Sequence, residues 1–260
     1  MLLAVDVGNT STVLGLFEGS LLRAHWRVAT DRLRMADEYA VLLTNLLELS
    51  RLAPPTDMIV SSVVPHVERE LAQALSRYWG VASRSVNSRS LAGLLSIETD
   101  NPLEVGADRL VNTVAALEYD AESFIVVDFG TAANFDVIRK PNRLLGVALA
   151  PGPMVAAEAL FARAAKRPRV ELVAPPLAIG KNTVTALQSG LVFGYAEMVD
   201  GMVRRLTEEL SEELGGELGS PPLVIATGGF AEVVRGHCRS VDRFEPLLTL
   251  HGLRLIAERL

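Results

Sequence analysis

The 260-residue sequence contains very little cysteine and histidine. Cys238 is its one cysteine, so the chain has no internal disulfide and no cysteine-cluster zinc site. The four histidines stand far apart and show no HExxH or similar spacing. These absences exclude a disulfide-stabilised secreted domain and argue against a histidine metal centre. They favour a reducing location, which we expect to be the cytoplasm.

Long apolar runs and an excess of positive charge are also missing. No segment approaches the roughly 18 continuous apolar residues of a membrane span, and Asp6 interrupts the apolar N-terminus early. The formal net charge is −6, which provides no basic field for nucleic acid. We therefore expect neither a membrane nor a nucleic-acid partner. Hydrophobic residues make up 49% of the chain, which is typical of a globular protein.

The first twelve residues, MLLAVDVGNTST, place a carboxylate at the end of a short apolar strand. Asp6 follows Leu2–Val5 and leads into a turn where Gly8 lets the backbone approach a ligand closely. Residues 9–12 add amide and hydroxyl groups. A carboxylate beside such a turn suits a phosphate and metal site. Taken alone, the same residues also suit a tight hairpin with a solvated aspartate.

A second copy of this pattern begins near the middle of the chain. The segment VDFGTAANF (127–135) repeats the strand, aspartate, spacer and glycine of VDVGNTSTV (5–13). Asp6 and Asp128 are 122 residues apart, close to half the chain, which indicates an internal duplication. Two such turns suit a triphosphate, whose oxygens need N–H groups, hydroxyls and cations. A purely structural hairpin that was duplicated is the alternative.

Hydrophobic spacing predicts two α/β halves, each opened by a three-stranded meander. The predicted strands are 2–5, 12–17, 21–28, 58–64, 124–127, 133–138, 144–150 and 223–226. The predicted helices are 35–51, 66–78, 107–119, 153–166 and 183–210. A solvated loop is predicted over 211–219.

Two familiar nucleotide-binding motifs are absent. Gly180-Lys181-Asn182-Thr183 resembles the end of the P-loop motif GxxxxGK[ST], but Pro175 stands where the motif begins with glycine. No apolar strand precedes this segment, and the chain has no GxGxxG. A nucleotide site in this chain is therefore not of the P-loop type, and a dinucleotide fold lacks its usual signal.

The segment Gly106-Ala107-Asp108-Arg109 lies where a loop becomes a helix. The helix dipole keeps an aspartate there ionised, so Asp108 is suited to accept a proton from a substrate hydroxyl. Arg109 is suited to bind a carboxylate or phosphate through two hydrogen bonds. An ordinary Asp–Arg pair in a first helical turn is the alternative. Thr227-Gly228-Gly229 suits either a nucleoside platform or a plain turn.

Eight short segments, taken in order, resemble the motifs of the type III pantothenate kinases. This family belongs to the superfamily of acetate and sugar kinases, Hsp70 and actin. The segments are DVGNT (6–10), SSVVP (61–65), NPLEVGADR (101–109), VVDFGTA (126–132), APG (150–152), IGKNT (179–183), QSG (188–190) and ATGG (226–229). Each segment is short, but the ordered set covers most of the chain and is specific.

The resemblance implies two α/β lobes of actin-like (ribonuclease H-like) fold, residues 1–115 and 116–260, with a nucleotide cleft between them. It implies transfer of the γ-phosphoryl group of ATP to the primary hydroxyl of pantothenate, giving 4'-phosphopantothenate. This is the first step of coenzyme A biosynthesis. The implied cofactors are ATP with Mg²⁺ and a monovalent cation, K⁺ or NH₄⁺, and the implied assembly is a homodimer.

The resemblance also implies roles for individual residues. Asp108 takes the place of the general base, Asp128 falls at the monovalent-cation site, and Asp6 would face the magnesium. The residues implied to hold the ATP phosphates are Asp6, Val7, Gly8, Asn9, Thr10, Ser11, Thr12, Val13 and Thr131. Those implied to bind pantothenate are Gly106, Ala107, Asp108, Arg109 and Thr183, with Arg109 facing the pantothenate carboxylate.

Three departures from the family pattern bear on this interpretation. Thr99 stands where many members have tyrosine, Ala133-Asn134 replaces a hydroxyl-rich run, and Gly146-Val147 replaces a Gly-Gly pair. None of them removes a carboxylate, so we expect an active enzyme. The three departures leave room for an altered substrate affinity.

Two alternatives come from other functional classes. One is a regulatory protein that kept the fold and lost turnover, as in a related branch described as an accessory transcription factor. The intact set Asp6, Asp108 and Asp128 and the negative net charge argue against it. The other is a kinase or phosphatase of the same superfamily that acts on a different small molecule.

Overall fold

The computed structural model describes residues 1–163, 170–216 and 218–260, and it divides into two mixed α/β units. The first unit contains Met1–Glu118 and Leu248–Leu260, and the second contains Tyr119–Leu247. Within the described ranges, no helix has both the length and the apolar character needed to cross a membrane.

The first unit is built on a five-stranded sheet whose order is β3-β2-β1-β4-β5. Strand β1 is antiparallel to β2 and parallel to β4. The strands are β1 (Leu2–Val7), β2 (Ser11–Glu18), β3 (Leu21–Ala29), β4 (Asp57–Ser62) and β5 (Ser83–Ser85), followed by a two-residue strand, β6 (Ser96–Ile97).

Four α-helices belong to this unit, and local sequence sets their ends. They are α1 (Ala36–Leu49), α2 (Pro65–Trp79), α3 (Ala107–Ala116) and α7 (Leu248–Arg259), with a 3₁₀ turn at Pro102–Glu104. Pro65 lies in the first turn of α2, and Gly80 ends it in a left-handed conformation at φ +67°. Apolar residues of β1 and β4 pack with residues of α1 and α2 into one core.

The second unit has the same strand arrangement. Its strands follow the order β9-β8-β7-β10-β11, with β7 antiparallel to β8 and parallel to β10. They are β7 (Ser123–Phe129), β8 (Ala132–Arg139), β9 (Arg143–Pro151), β10 (Leu223–Gly228) and β11 (Arg243–Phe244). Its helices are α4 (Pro153–Arg163), α5 (Thr183–Glu213) and α6 (Ala231–Val234). Val192, Val199 and Val203, at helical spacing on α5, belong to the core of this unit.

The two sheets also share an irregularity, which supports the predicted duplication. The pairing of the second and third strands shifts register between Leu16 and Phe17 in the first unit. The corresponding pair in the second unit shifts between Val137 and Ile138. A β-bulge at the equivalent position of both meanders is a specific feature of the fold and not a local defect. The predicted fold class, two duplicated α/β lobes, is confirmed.

The division of the chain into two units differs from the prediction, which placed the boundary between residues 115 and 116. The boundary lies between Glu118 and Tyr119, and residues 248–260, predicted to belong to the second lobe, join the first unit. The physical reason is close packing of α7 on α3. Thr249 donates a hydrogen bond of 2.9 Å to Asn112, and a Cβ on Gly252 would lie 2.7 Å from Val111 Cγ1. Only glycine permits this approach of the two helices.

Most predicted elements are present, with shifts at their ends. The helix predicted over 153–166 is observed as α4 up to Arg163, and residues 164–166 lie outside the described residues. The loop predicted over 211–219 begins with the last turn of α5, which ends at Glu213, and its residue 217 also lies outside them. Helices α6 and α7 and the short strands β5, β6 and β11 were not predicted.

Candidate active site

The first aspartate turn joins β1 to β2 and is closed by backbone hydrogen bonds. Gly8 N donates to Ser11 O at 3.1 Å, and Val63 N, after β4, donates to Val7 O at 3.0 Å. A Cβ on Gly8 would lie 3.1 Å from Ser11 O, so a larger residue would disturb this closure. The aspartate itself lies in the sheet, where Asp6 is in register with Val13 on β2 and with Ser61 on β4.

Thr30, just after β3, anchors this turn from outside. Its N–H donates to Thr10 O at 3.0 Å, and its hydroxyl donates to Gly8 O at 2.7 Å. The Thr12 hydroxyl lies 2.9 Å from the Thr30 hydroxyl. Because a hydroxyl has one proton and Thr30 gives its proton to Gly8, Thr12 is the donor of this pair. The chain of hydrogen bonds Thr12 to Thr30 to Gly8 fixes the shape of the turn.

The side chains of residues 6–13 therefore divide into two groups. Val7 and Thr12 are each 1% exposed and stabilise the turn from inside. Asp6 and Ser11 are half-buried, and Asn9 and Thr10 are exposed. A ligand at this turn meets the second group and the backbone.

The second aspartate turn, between β7 and β8, is shorter by one residue. Phe129 pairs with Ala133, whereas its counterpart Val7 pairs with Thr12. Gly130 N donates to Ala132 O at 2.9 Å, and Gly152 N donates to Thr131 O at 2.9 Å. A Cβ on Gly152 would lie 2.5 Å from Thr131 O, which explains the glycine of the APG segment. The two aspartates, Asp6 and Asp128, are 122 residues apart. Their partners on the next strand, Val13 and Asn134, are only 121 residues apart because the second turn is shorter.

Asp128 lies between Asn134 on β8 and Thr227 on β10. A Cβ on Gly228 would lie 2.6 Å from Asp128 Oδ1, and Gly228 has φ +89°. Both the space and the conformation thus require glycine at this point of the ATGG segment. Asn134 is 7% exposed, and its buried Oδ1 accepts no hydrogen bond from any described residue.

These oxygens fit a cation. Side chains of directly paired residues on neighbouring strands lie about 5 Å apart at Cβ, so the amide oxygen of Asn134 and the Asp128 carboxylate share one face of the sheet. A buried carbonyl-type oxygen that lacks a donor is costly unless a ligand supplies positive charge. Monovalent cations bind to such oxygens in place of their hydration shell.

A magnesium site with several protein ligands is not present in the described part of the chain. No group of three or more His, Cys, Asp or Glu residues there is arranged to hold a metal ion. Mg²⁺ bound with a nucleotide needs only one or two carboxylates besides phosphates and water. The half-buried Asp6, at the exit of β1, fits that requirement.

The third group of predicted residues opens helix α3. Gly106 is the N-cap, and Asp108 lies in the first turn, where Arg109 N donates to its Oδ1 at 3.0 Å. Asp108 Oδ1 would lie 2.5 Å from a Cβ on Gly106, so the carboxylate folds back over the glycine. Arg109 Nε is buried and has no hydrogen-bond partner among the residues that the structure describes. The carboxyl group of Asp108 offers a proton acceptor, and the neighbouring guanidinium of Arg109 offers hydrogen-bond donors for an anion.

The P-loop-like segment is the N-terminal cap of helix α5. Asn182 Oδ1 accepts from Thr185 N at 3.0 Å, and Lys181 N donates to Thr185 Oγ1 at 3.1 Å. Thr183 is the exposed first residue of α5. Residues 170–182 contain no strand, whereas a P-loop directly follows one.

The predicted residues fall into both units. Residues 6–13 and 106–109 belong to the first unit, and Asp128, Thr131 and Thr183 belong to the second. Sequence reasoning missed Thr30 and Arg32, which contact the first turn. The sequence feature that could have revealed them is Thr30-Asp31, a pair of residues typical of turns. This pair directly follows β3, the strand that pairs with β2.

Two sheets of one topology, each with an aspartate turn after its central strand, define the fold class of sugar kinases and actin-like ATPases. Solved structures share this fold over nearly the whole chain. One, from Sinorhizobium meliloti and assigned as a 2-dehydro-3-deoxygalactonokinase, is 15% identical with a TM-score of 0.54 and coverage of 100% of this chain and 97% of that one. Another, from Campylobacter jejuni and assigned to the Baf family of transcriptional activators, is 17% identical with a TM-score of 0.54 and coverage of 99% and 98%. At these identities the likeness concerns the fold alone.

Sequence comparison narrows the class to one family. The family model described as type III pantothenate kinase matches residues 2–205. A type III pantothenate kinase of Thermus thermophilus is 53% identical over 262 residues, which cover 100% of both chains. The chain therefore belongs to the type III pantothenate kinase family, and the predicted resemblance is confirmed.

Proposed function

We propose that Asp108 is the general base that takes the proton of the pantothenate hydroxyl as the γ-phosphoryl group of ATP is transferred. As a type III pantothenate kinase, the protein phosphorylates pantothenate with ATP in the first step of coenzyme A biosynthesis. The observation that carries the role of Asp108 is its place in the first turn of α3, with Oδ1 held by Arg109 N. A carboxyl group held in this position can accept the proton of a substrate hydroxyl.

The ATP phosphates are assigned to residues 6–13 and to Thr131. The support comes from the turn that Gly8 and Thr30 shape, in which Asn9 and Thr10 are exposed. In this proposal Thr12 and Val7 contribute by holding the turn, because both side chains are buried. Asp6 would face the Mg²⁺ that accompanies ATP, and that ion, when bound, would supply positive charge against the phosphates.

Pantothenate is assigned to Gly106–Arg109 and Thr183. Pantothenate carries a carboxylate, and a guanidinium binds carboxylates with charge-assisted hydrogen bonds. This role is supported by the buried Arg109 Nε, for which the described part of the chain supplies no acceptor. With the carboxylate of the substrate held, its hydroxyl can be presented to Asp108. This kind of catalysis depends mainly on positioning and electrostatics.

A monovalent cation, K⁺ or NH₄⁺, is assigned to Asp128. An additional oxygen ligand there is supported by the buried Oδ1 of the cross-strand neighbour Asn134, which has no donor within the described ranges. Thr131, in the adjoining turn, is itself one of the residues assigned to the ATP phosphates. The cation would offset negative charge where phosphates bind.

One assay tests both the kinase activity and the preference for potassium. Purified protein with ATP, Mg²⁺ and pantothenate is expected to form 4'-phosphopantothenate in potassium buffer and to work more slowly in sodium buffer. The strands hold the Asp128 and Asn134 oxygens in fixed positions, which favours one ion size. Potassium should also raise the melting temperature, and Asp128→Asn should remove that increase. Equal rates and equal melting temperatures in both buffers would contradict the cation site alone.

Failure of the assay has a different meaning. If the folded protein forms no product in either buffer, pantothenate kinase activity is contradicted, and the two alternatives from the sequence return. A panel of small hydroxy acids and sugars would then detect a kinase of another specificity. A regulatory protein would show no turnover with any of them. We place the activity in the cytoplasm, where ATP is available.

We also propose a homodimer through the second unit. All exposed large hydrophobic side chains of this unit, among its described residues, lie between positions 149 and 184. They include Met154, which is 55% exposed on α4, and Ile179, which is 73% exposed. Contiguous exposed apolar surface is typical of a protein interface, and we infer that this segment supplies such a surface.

Sedimentation equilibrium is expected to give twice the 28.0 kDa chain mass. Met154→Glu places a charge in the proposed interface and should shift the equilibrium toward monomer. Val41→Glu is the matched control, because Val41 is 61% exposed on α1 of the first unit. A wild-type protein that sediments as a monomer at all concentrations would contradict the dimer.

A further inference from the structure

The first aspartate turn carries no positive charge of its own. Residues 5–13 contain one charged side chain, that of Asp6. A triphosphate brings several negative charges, and bound Mg²⁺ neutralises only part of them. A cation from elsewhere in the chain is therefore expected beside this turn.

Arg32 occupies this position. Its Nη2 donates to Asn9 Oδ1 at 2.9 Å, although the two residues are 23 positions apart. Arg32 is exposed, so solvent or a ligand can reach its guanidinium. A guanidinium has five N–H donors, and the hydrogen bond to Asn9 uses one of them.

The contact also determines how the Asn9 amide is oriented. A guanidinium only donates hydrogen bonds, so the atom of Asn9 that faces Arg32 must be the oxygen. The amide nitrogen, with two N–H donors, then points away from Arg32. In this orientation Asn9 offers donors, which anionic oxygens need, and the acceptor that would repel them is occupied.

The backbone around Arg32 is held on both sides. Thr30 is tied to the turn by the hydrogen bonds to Thr10 and Gly8. Asp31 Oδ1 accepts from Leu33 N at 3.0 Å and forms a local turn about Arg32. Tyr39 on α1 donates from its hydroxyl to Asp31 O at 3.3 Å. The position of Arg32 beside the phosphate turn is thus built by three elements of the first unit.

We propose that Arg32 binds the polyphosphate of ATP and orients the Asn9 amide toward it. The inference rests on the proposed assignment of ATP to residues 6–13. Arg32 acts on ATP and has no part in binding pantothenate. Loss of Arg32 is therefore expected to weaken the binding of ATP and to leave the binding of pantothenate nearly unchanged.

The test combines direct binding with steady-state kinetics. Loss of a hydrogen bond to a charged group typically costs about ten- to a hundredfold in affinity. Arg32→Ala should raise both the Kd of the β,γ-imido analogue of ATP, titrated with Mg²⁺, and the KM for ATP by that factor. The KM for pantothenate and the Kd of AMP should stay within about twofold, because neither contact involves the β and γ phosphates.

Two conservative variants separate the roles of Arg32. Arg32→Lys keeps the charge and is expected to recover part of the affinity, whereas Arg32→Gln keeps a donor for Asn9 without the charge. The double variant Asn9→Ala with Arg32→Ala should lose less than the sum of the two single losses, since the residues act together. The matched control is Arg23→Gln, an exposed arginine on β3 that pairs with Glu18, which should leave every constant unchanged.

Several outcomes would overturn the inference. An unchanged Kd for the ATP analogue in Arg32→Ala would do so, and so would equal rises in both KM values together with a lower melting temperature, which indicate a structural role. If the wild type binds the analogue but does not phosphorylate pantothenate, the proposed function fails while Arg32 is still judged by binding. If the wild type does not bind the analogue, the ATP assignment and the inference fail together.

Discussion

Replacing Asp108 by asparagine is expected to lower kcat about 10²- to 10⁴-fold, the usual contribution of a general base. Asparagine has nearly the same shape, and its Oδ1 can still accept the 3.0 Å hydrogen bond from Arg109 N. Its amide cannot take the proton of the substrate hydroxyl. The fold should therefore persist while turnover is lost.

The measurement is kcat and KM for both substrates, together with the melting temperature. Both KM values should change little, because the variant removes an interaction made in the transition state. Asp100→Asn is the matched control, since Asp100 is an exposed aspartate in the loop that precedes α3. A kcat for Asp108→Asn close to that of the control would contradict the assignment of Asp108 as the base.

The strand-and-turn framework was readable from sequence because it depends on local patterns. Apolar runs that end in Asp-x-Gly predicted β1 and β7, and their repetition predicted the shared topology of the two sheets. Gly106, at the junction of loop and helix, predicted the start of α3 in the same way. In each case residues adjacent in sequence determine the structure.

Other features depend on contacts between distant residues and escaped prediction. The Arg32–Asn9 hydrogen bond joins two loops through the register of β2 and β3, which no short segment reveals. Helix α7 joins the first unit because Gly252 meets Val111, 141 positions earlier in the chain. The second aspartate turn is one residue shorter than the first, so an ungapped comparison of the two copies could not align β8 correctly.

Gly228 is the position where backbone conformation, packing and the proposed cation site meet. Its φ of +89° is unfavourable for any other residue, and an added Cβ would lie 2.6 Å from both Asp128 Oδ1 and Phe129 O. Gly228→Ala is therefore expected to lower the free energy of unfolding by about 2–5 kcal/mol, as the sum of conformational strain and overpacking. It should also move the Asp128 carboxylate and remove the difference between potassium and sodium buffers.

Gly216→Ala separates these two causes. Gly216 has φ +83°, close to that of Gly228, but no atom of the described residues beyond its chain neighbours would lie within 4 Å of its Cβ. This variant should lose only about 1–2 kcal/mol from strain and keep the full response to potassium. Urea unfolding gives the free energies, and the rates in both buffers give the cation response. If the two variants are equally destabilised, the contact of Gly228 with Asp128 and Phe129 adds nothing. If Gly228→Ala is folded and keeps its preference for potassium, then Asp128 is not the residue that selects the cation.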